Sequence, residues 1–531
     1  MTHRLFRNNV GLTYIIASGL VCTSLTVGAT LLAGCGGGRS QVTSSPTPTF
    51  TDAKVQSAFA TLDAQATRAV KEAGVPGMAV VVVYKDKIVY LKGFGVRQKD
   101  GTDLVTPDTV FQLASLSKPI TATAIAGLVG DGSVSWDDPI RKYLPDFQMD
   151  TPSVTQQVTI RDFLSHRSGL PDHTGDELED MGYSQDQILH QLRYVSTGNR
   201  FRSAYAYTNY GFTTAGVAAA KSVGKSYDDF IADRLFRPLG MTSTSTRFAD
   251  YVASPNHAVG HARENGQWIA KYQRKPDNQA PAGGVNSTAR DMAQWLRLLL
   301  AGGKIDGRPV IDASALAETQ RAQIERPNGP YGLGWNVGND SQGRPRPNHS
   351  GAFSQGAATA VFALPTEGLG IVVLSNGAPI GAPEAVALSF LDVVAEGKMQ
   401  RDWLTFLEPI FVESTAPEYG KDTDYTKPPA QPTPALTADA YAGTYHSDFF
   451  GNIEIAAQSG SLVLKQGPAQ TAFPMTHWDG NIFLFQPVGE QAGGLSGVTF
   501  TIGANQKAEK ILVENLNIYG LGTFTRIPAG S

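Results

Sequence analysis

The sequence predicts an α+β fold: an α/β sandwich whose sheet is assembled from the two ends of a large domain, followed by a small antiparallel β-domain. Apolar runs of strand length lie near both ends of a long first segment, at residues 78–84, 357–364 and 370–374. Stretches with helical spacing, such as 289–300, lie between them. We therefore expect the two ends of this segment to pair in one sheet and the helices to cover its faces.

Breaks in the apolar pattern define the elements of this domain in order. Residues 54–73 have the spacing of an amphipathic helix, and Pro76 with Gly77 ends the pattern before the first strand. Polar residues 85–87 separate that strand from a second apolar run, which predicts a hairpin. The remaining elements are predicted as helices at 159–164 and 210–223, a strand at 332–337, and a turn at 366–368 between the last two strands.

The composition of the 531-residue chain divides it into domains. Residues 412–434 are rich in Pro, Thr and Ala, which predicts a linker after a large domain at 50–411. Residues 435–531 alternate apolar and polar positions in short runs with Gly at the breaks. We expect them to form a small, β-barrel-like C-terminal domain.

Charge and cysteine usage exclude several classes of function. The formal net charge is -4 and both signs are spread along the chain, so no basic stripe favours a nucleic-acid partner. The two cysteines, Cys22 and Cys35, both precede the large domain. A cysteine nucleophile, a disulfide and a thiolate metal site are therefore not expected in the folded body.

The N-terminal segment is predicted to be a targeting sequence. Basic residues precede an apolar stretch, and Leu32-Ala33-Gly34-Cys35 resembles the bacterial lipoprotein signal. On this interpretation residues 1–34 are a signal peptide, Cys35 is lipidated, and the Gly, Ser, Thr and Pro of 35–49 form a flexible tether. We expect an outer-membrane lipoprotein that faces the periplasm. An uncleaved signal anchor is the alternative, because the apolar stretch is long enough to span a bilayer.

Ser115 and Lys118 form the first candidate catalytic group. Pro119 is tolerated only in the first turn of a helix, so the apolar stretch 120–129 places Ser115 at or just before a helix start. A serine hydroxyl needs an adjacent base at neutral pH, and three-residue spacing brings the Lys118 amine to the same helix face. We expect Ser115 to be the nucleophile and Lys118 its activator.

Tyr207 and Asn209 form the second candidate group, just before a Gly- and Ala-rich helical stretch. A tyrosine phenol among cations can move a proton between the serine and a leaving group. The asparagine amide, two residues further on, can orient a substrate carbonyl. We expect Tyr207 to be catalytic and Asn209 to bind substrate.

His349, Ser350 and Gly351 form the third candidate group, immediately before two predicted strands. A strand edge here would offer the backbone N–H of Ala352 to an oxyanion, with the Ser115 N–H as the other donor. Gly351 leaves room for a substrate backbone to approach closely. We expect all four residues to contribute to substrate or oxyanion binding.

Partial matches to these motifs occur elsewhere and are predicted to be structural. Each lacks the flanking helix or strand that its motif needs. They are Ser222 with Lys225, Ser254-Pro255-Asn256, and His173-Thr174-Gly175, which we predict to be a turn.

In this order, the three groups resemble the motifs of the β-lactamase-related serine hydrolases: class C β-lactamases, DD-peptidases, family VIII carboxylesterases and D-amino-acid peptidases. The resemblance covers about residues 50–411 and extends to four flanking stretches, at 111–114, 163–171, 282–285 and 331–335. It implies a β-lactamase/transpeptidase-like fold with a central antiparallel sheet and a helical subdomain. It also implies an acyl-enzyme mechanism without cofactor or metal. The C-terminal residues are similar to a small β-domain of unknown function that often follows such hydrolases.

His349 is a departure from the class C β-lactamases, which carry lysine at this position. A mostly neutral imidazole anchors a substrate carboxylate less well than a permanent cation. We therefore expect hydrolysis of esters or of small peptides and amides, with a class C-like β-lactamase or penicillin-binding protein as the alternative.

Three other classes of function are less well supported by the sequence: a metal hydrolase, a non-enzyme on the same fold and an α/β-hydrolase. His257 and His261 are one helical turn apart, but the glutamate of the His-Glu-x-x-His metal motif is absent and Gly260 interrupts the turn. The non-enzyme alternative is a catalytically silent surface or penicillin-sensing protein, against which the presence of Ser115, Lys118 and Tyr207 argues. The sequence also lacks the Gly-x-Ser-x-Gly motif of α/β-hydrolases.

Overall fold

The computed structural model describes residues 50–417, 419–458 and 460–528. In the large domain the strands are β1 Gly77–Tyr84, β2 Lys87–Gly95, β3 Phe111–Gln112, β4 Ala262–Glu264, β5 Gln267–Ile269, β6 Asn286–Ser287, β7 Lys304–Ile305, β8 Arg308–Pro309, β9 Asn348–Phe353, β10 Ala357–Leu364 and β11 Leu369–Ser375. The helices are α1 Asp52–Ser57, α2 Phe59–Lys71, α3 Ser117–Gly130, α4 Pro152–Gln157, α5 Ile160–Leu164, α6 Asp176–Asp180, α7 Gln185–Gln191, α8 Asn209–Ser222, α9 Tyr227–Ile231, α10 Phe248–Ala253, α11 Ala280–Gly283, α12 Ala289–Leu300, α13 Ala313–Thr319, α14 Ala382–Glu396, α15 Trp403–Ser414 and, after it, α16 Ala438–Tyr441.

The central sheet is antiparallel, with strand order β2-β1-β11-β10-β9. The N-terminal strand β1 pairs with the late strand β11, so that Val81 lies opposite Val372. The prediction that the two ends of the domain share one sheet is therefore confirmed. Strand β9, which carries the third motif, lies at one edge of this sheet.

Both faces of the sheet are covered by helices, which explains the unbroken valine run in β1. Val80 and Val82 pack into a core with α2 and α14. Val81 and Val83 face the opposite core, which contains α3 and α12. Because successive side chains of a strand point to opposite faces, a strand buried on both sides needs apolar residues throughout. The predicted α/β sandwich is confirmed.

The predicted strand at 332–337 is wrong. The backbone there bonds to scattered partners instead of a ladder: Leu333 N–H donates to Thr319 O at 2.8 Å, and Gly334 N–H donates to Leu164 O at 3.1 Å. Gly334 has a φ of +77°, and a Cβ at this position would lie 3.0 Å from the carbonyl oxygen of Lys118. The segment therefore packs against the start of α3 in an irregular conformation that favours glycine.

The C-terminal domain is a closed antiparallel barrel in which each strand pairs with the next. This confirms the predicted β-domain. Tyr441 lies among the barrel's aromatic rings, and its hydroxyl donates to Asn481 Oδ1 at 2.7 Å. The strands are β12 Gly443–Ser447, β13 Gly451–Gln458, β14 Ser461–Gln466, β15 Thr471–Asp479, β16 Ile482–Phe485, β17 Ser496–Ile502, β18 Ala508–Val513 and β19 Thr523–Arg526.

The predicted signal peptide, Cys35 and the tether to residue 49 lie outside the described residues. Among the residues that the structure does describe, no helix combines the length and the apolar character needed to cross a bilayer. The predicted linker begins inside α15, which continues to Ser414.

Candidate active site

Ser115 lies in a single 3₁₀ turn immediately before α3, as the position of Pro119 predicts. The preceding residue, Ala114, has a φ of +48°, a left-handed conformation that is unfavourable for a residue with a Cβ. Neighbouring elements hold this strained turn: Leu113 N–H donates to Val285 O at 2.8 Å, and Thr359 Oγ1 donates to Leu113 O at 2.8 Å. The Ser115 side chain is thus presented by a rigid turn.

Lys118 is completely buried and contacts three oxygen atoms. Its Nζ lies 3.0 Å from Ser115 Oγ, 2.8 Å from Asn209 Oδ1 and 3.0 Å from the carbonyl oxygen of Ala282. Burial lowers the pKa of the amine well below its ordinary value of 10.5, although Asp176 opposes this shift. A neutral amine can donate to Asn209 and Ala282 and keep its lone pair for the Ser115 proton.

Asn209, the first residue of α8, has both ends of its amide engaged. Its Oδ1 accepts from Lys118, and its Nδ2 donates to Asp176 Oδ2 at 2.9 Å. Asn209 therefore bridges the lysine and a buried carboxylate. This geometry orients Lys118, in addition to the substrate contact that the sequence predicts for the amide.

Tyr207 lies beside both members of the Ser115–Lys118 pair. Its ring centroid is 4.5 Å from Lys118 Nζ, and its phenol interacts with the Ser115 hydroxyl. Burial raises the pKa of the phenol well above its ordinary value, and the Ser115 contact only partly opposes this. The phenol therefore holds its proton and can donate it.

The sequence did not identify three residues that lie at the site: His166, His173 and Asp176. The His166 ring lies 4.4 Å from the Tyr207 ring and its Nδ1 accepts from Thr208 N–H at 3.1 Å. His173 lies 5.5 Å from the same ring, and its Nδ1 is 2.9 Å from Asp176 Oδ2. His173-Thr174-Gly175 is a turn as predicted, but that turn packs against the site.

His349 is buried and uncharged. Its Nδ1 lies 2.7 Å from Ser350 O and its Nε2 lies 3.0 Å from the Tyr331 hydroxyl, so the ring donates through Nδ1 and accepts through Nε2. Burial, with a contribution from Lys118, lowers the pKa of His349 to about 3. The imidazole is therefore neutral at physiological pH.

Along β9, the backbone N–H and C=O groups of every second residue point away from β10. Asn348 exchanges N–H and C=O hydrogen bonds with Asn336 on that outer side. Because backbone groups alternate direction along a strand of an antiparallel pair, the N–H of Ala352 also points outward. A Cβ on Gly351 would lie 2.1 Å from Leu113 O, so the glycine lets this strand lie directly against the nucleophile turn.

Ser350 has a different environment from its two neighbours. Successive side chains of a strand alternate between faces, and the Ser350 side chain interacts with the buried carboxyl group of Glu384 on α14. Burial raises the pKa of this carboxyl group to about 7. The structure therefore brings together Ser115, Lys118, Tyr207, Asn209, Gly351 and Ala352, while His349 and Ser350 support β9.

The side chains of the partial motif matches elsewhere in the chain make structural contacts. Ser222 caps the end of α8 by donating to Ala219 O at 2.6 Å, and Lys225 pairs with Asp233. Asn256 bonds to Thr106 and Thr109.

The two histidines considered for a metal also have other partners. His257 Nδ1 contacts Ser254 O, and His261 Nε2 accepts from Lys99 N–H. In the part of the chain that the structure describes, no group of three or more His, Cys, Asp or Glu side chains is arranged to hold a metal ion.

Comparison with known families agrees with this geometry. A family model described as Beta-lactamase matches residues 62–395. The chain belongs to the β-lactamase family. The resemblance to β-lactamase-related serine hydrolases is thus confirmed. A second model, described as Domain of unknown function (DUF3471), matches residues 427–520, which contain most of the barrel.

Curated relatives of this β-lactamase-family chain include hydrolases. It is 28% identical over 398 residues to Unguisins hydrolase ungD' of Aspergillus campestris, and the alignment covers 70% of this chain and 72% of that relative. It is 24% identical over 310 residues to Protein flp of Staphylococcus aureus, which covers 57% of this chain and 60% of that protein.

Solved structures with the same fold include an octameric penicillin-binding protein homologue from Pyrococcus abyssi, with a TM-score of 0.58 and 19% identity over 88% of this chain and 100% of that one. A class C β-lactamase from Rhodobacter sphaeroides has a TM-score of 0.52 and 23% identity over 63% of this chain and 98% of that one. At these identities the likeness is one of fold.

Proposed function

We propose that this chain is a serine hydrolase that cleaves esters or small peptides and amides through an acyl-enzyme, with Ser115 as the nucleophile. The observation that carries the proposal is the 3.0 Å contact between Ser115 Oγ and the buried amine of Lys118. A neutral amine at this distance is the base that a serine hydroxyl needs.

Acylation follows from these contacts. Lys118 Nζ takes the Ser115 proton as Oγ forms a bond to the acyl carbon, and the carbonyl oxygen becomes an oxyanion held by the N–H groups of Ser115 and Ala352. The bond to the leaving group then breaks. The Tyr207 phenol donates a proton to that group and recovers one from the Lys118 ammonium.

Deacylation repeats these steps with water. Lys118 removes a proton from a water molecule, whose oxygen bonds to the acyl carbon, and the bond from Ser115 Oγ to that carbon breaks. The proton returns to Ser115, so the carboxylic acid leaves and the enzyme is regenerated. Asn209 and Asp176 keep the amine in place throughout.

The neutral state of His349 supports esters and peptides over β-lactams as substrates. A β-lactam carries a carboxylate, and the third motif here supplies no cation to bind it. A curated relative is named as a hydrolase of unguisins, which supports hydrolytic activity in this family.

The experiment compares turnover of a short-chain p-nitrophenyl ester, a D-amino-acid peptide and nitrocefin, together with labelling by a fluorophosphonate. We expect labelling at Ser115 and a burst of p-nitrophenol from the ester, the kinetic sign of an accumulating acyl-enzyme. Absence of labelling and of turnover in all three assays would support the catalytically silent alternative.

We also propose that the protein is tethered to the outer membrane, facing the periplasm, through a lipid on Cys35. The proposal rests on the residues that precede Cys35 and on the Gly-rich segment after it.

A further inference from the structure

The C-terminal barrel contacts the catalytic domain through the loop between β16 and β17, residues 486–495. Asp180, the last residue of α6, accepts the backbone N–H of Glu490 at 2.9 Å and that of Gln491 at 2.8 Å. Gly489 has a φ of +123°, and a Cβ there would lie 2.2 Å from Asp180 Cγ. The glycine thus allows a close approach that fixes the position of Glu490.

The Glu490 side chain holds the turn that follows β9. Its Oε1 accepts from Ser354 N–H at 2.5 Å and lies 2.7 Å from Ser354 Oγ, while its Oε2 lies 3.4 Å from the Gln355 nitrogen. Only 11% of the Glu490 side chain is exposed. A carboxylate that accepts backbone N–H groups at a buried position is a strong positional restraint.

Arg274 completes the surroundings of this carboxylate. Its Nε lies 3.8 Å from Glu490 Oε2, and its Nη2 donates to Glu179 at 2.6 Å. Its guanidinium also lies 4.9 Å from the ring of Phe353, the last residue of β9. The barrel loop and Arg274 therefore restrain the same end of the strand.

The restrained turn begins two residues after Ala352. Strand β9 is an edge strand, so one side of it lacks a neighbouring strand of the sheet. The direction of the Ala352 N–H therefore depends on how the turn at residues 354–356 is held. Small changes in the position of such a donor lower kcat, because an oxyanion needs its donors at 2.7–3.1 Å.

From these contacts we propose that Glu490 of the C-terminal barrel is a positioning residue of the active site, which sets the Ala352 N–H through the β9–β10 turn. This role rests on the proposed acyl-enzyme function. The barrel then takes part in catalysis, because its β16–β17 loop holds the end of strand β9 that carries the Ala352 N–H.

The test uses the full chain and compares Glu490→Ala and Glu490→Gln with Tyr183→Phe as the matched control. The Tyr183 hydroxyl donates to Phe450 O at 2.6 Å, so its loss removes a hydrogen bond of the same domain interface away from β9. For each variant, kcat and KM for the ester, inhibition by phenylboronic acid, melting temperature and the fraction labelled at Ser115 are measured. The tetrahedral boronate places an oxygen where the oxyanion forms.

For Glu490→Ala we expect a loss of at least about 10-fold in kcat and a similar weakening of boronate inhibition, with KM within about threefold of wild type. Glu490→Gln keeps an acceptor for Ser354 N–H and should recover part of the loss. Tyr183→Phe should match wild type in both kcat and boronate inhibition. A purely structural contact would change the labelled fraction and melting temperature but not the kcat of the active fraction.

Unchanged kcat and boronate inhibition in the active fraction of Glu490→Ala would overturn the proposal. Should that variant fail to fold, Glu490→Asp replaces it, because its side chain is one methylene shorter and withdraws the acceptor from Ser354 N–H. Wild-type kinetics in Glu490→Asp would overturn the proposal equally. Absence of Ser115 labelling in the wild-type protein would instead overturn the proposed function, so the two failures are distinguishable.

Discussion

Lys118 Nζ lies 3.0 Å from Ser115 Oγ, and the lysine side chain is completely buried. The amine also contacts Asn209 and the carbonyl oxygen of Ala282, and these two contacts fix its position beside Ser115. Because burial favours the neutral amine, the fold itself makes the base that Ser115 needs.

Ser115→Ala should reduce ester turnover by roughly 10⁴- to 10⁶-fold and abolish fluorophosphonate labelling, because the variant lacks the hydroxyl that forms the acyl-enzyme. The melting temperature should change little, since the variant loses one hydroxyl from a half-buried position. Ser222→Ala, in the second Ser-x-x-Lys match, serves as the control and should keep full activity. Labelling that persists in Ser115→Ala would disprove the assignment of the nucleophile.

The lowered pKa of Lys118 predicts how activity depends on pH. As pH rises through this pKa, the amine loses its proton and becomes a base, so kcat/KM for a neutral ester should rise and level off well below pH 10.5. Lys118→Arg keeps a permanent charge and should fall to the activity of Ser115→Ala. A wild-type profile that rises only near pH 10.5 would show that Lys118 is charged in the resting enzyme.

The same pKa also predicts a dependence of stability on pH. Between the lowered pKa of the folded state and the ordinary value of 10.5, the unfolded chain binds one more proton at Lys118 than the folded chain does. The free energy of unfolding should therefore rise with pH through this window, by at most about 1.4 kcal/mol per pH unit from this group. Lys118→Met should remove that contribution, which urea unfolding of both proteins at pH 7 and pH 9 would measure.

Tyr207→Phe removes the phenol proton that the leaving group receives. We expect turnover to fall by about 10²- to 10⁴-fold, the usual contribution of a positioned acid or base. Tyr210→Phe is the control, because its buried hydroxyl has no hydrogen-bond partner in the structure and its loss should leave kcat unchanged. Near-normal turnover by Tyr207→Phe would assign both proton transfers to Lys118.

The sequence predicts those parts of the site that depend on local geometry. The Ser115–Lys118 pair follows from helix spacing. The sequence also predicts a close backbone approach at Gly351, but it expects the backbone of a substrate, whereas the structure shows the carbonyl oxygen of Leu113 there. The Asp176 contact to Asn209 and the Glu490 contact to Ser354 join residues far apart in the chain. No local pattern marks such pairs, because they depend on how α6 and the barrel loop pack against the rest of the catalytic domain.

Cys35→Ser tests the proposed lipid anchor. A thioether-linked diacylglycerol is a stable membrane anchor, so the variant should leave the membrane fraction or remain unprocessed, with unchanged specific activity of the folded protein. Fractionation and intact-mass measurement provide the readout, and Cys22→Ser is the matched control. Membrane association that persists in the Cys35→Ser protein would favour the uncleaved signal anchor.

The environment of His349 predicts substrate preference and the effect of placing a lysine at this position. By charge alone, a lysine at position 349 would bind carboxylate-bearing substrates better than histidine does. The His349 side chain, however, is buried against Tyr331 and lies near the amine of Lys118. A second ammonium in this place would lack water and repel any charge on Lys118, which destabilises the folded state.

We therefore expect His349→Lys to lower the melting temperature without raising nitrocefin turnover. The wild-type enzyme should hydrolyse the short-chain ester far faster than nitrocefin. Its activity should also lack any inflection from His349 between pH 5 and 8, because the pKa of this ring is about 3. His349→Gln, which introduces no charge, is the control for side-chain replacement and should be less destabilised than His349→Lys. Nitrocefin turnover equal to that of the ester in the wild type would contradict this account and support the β-lactamase alternative.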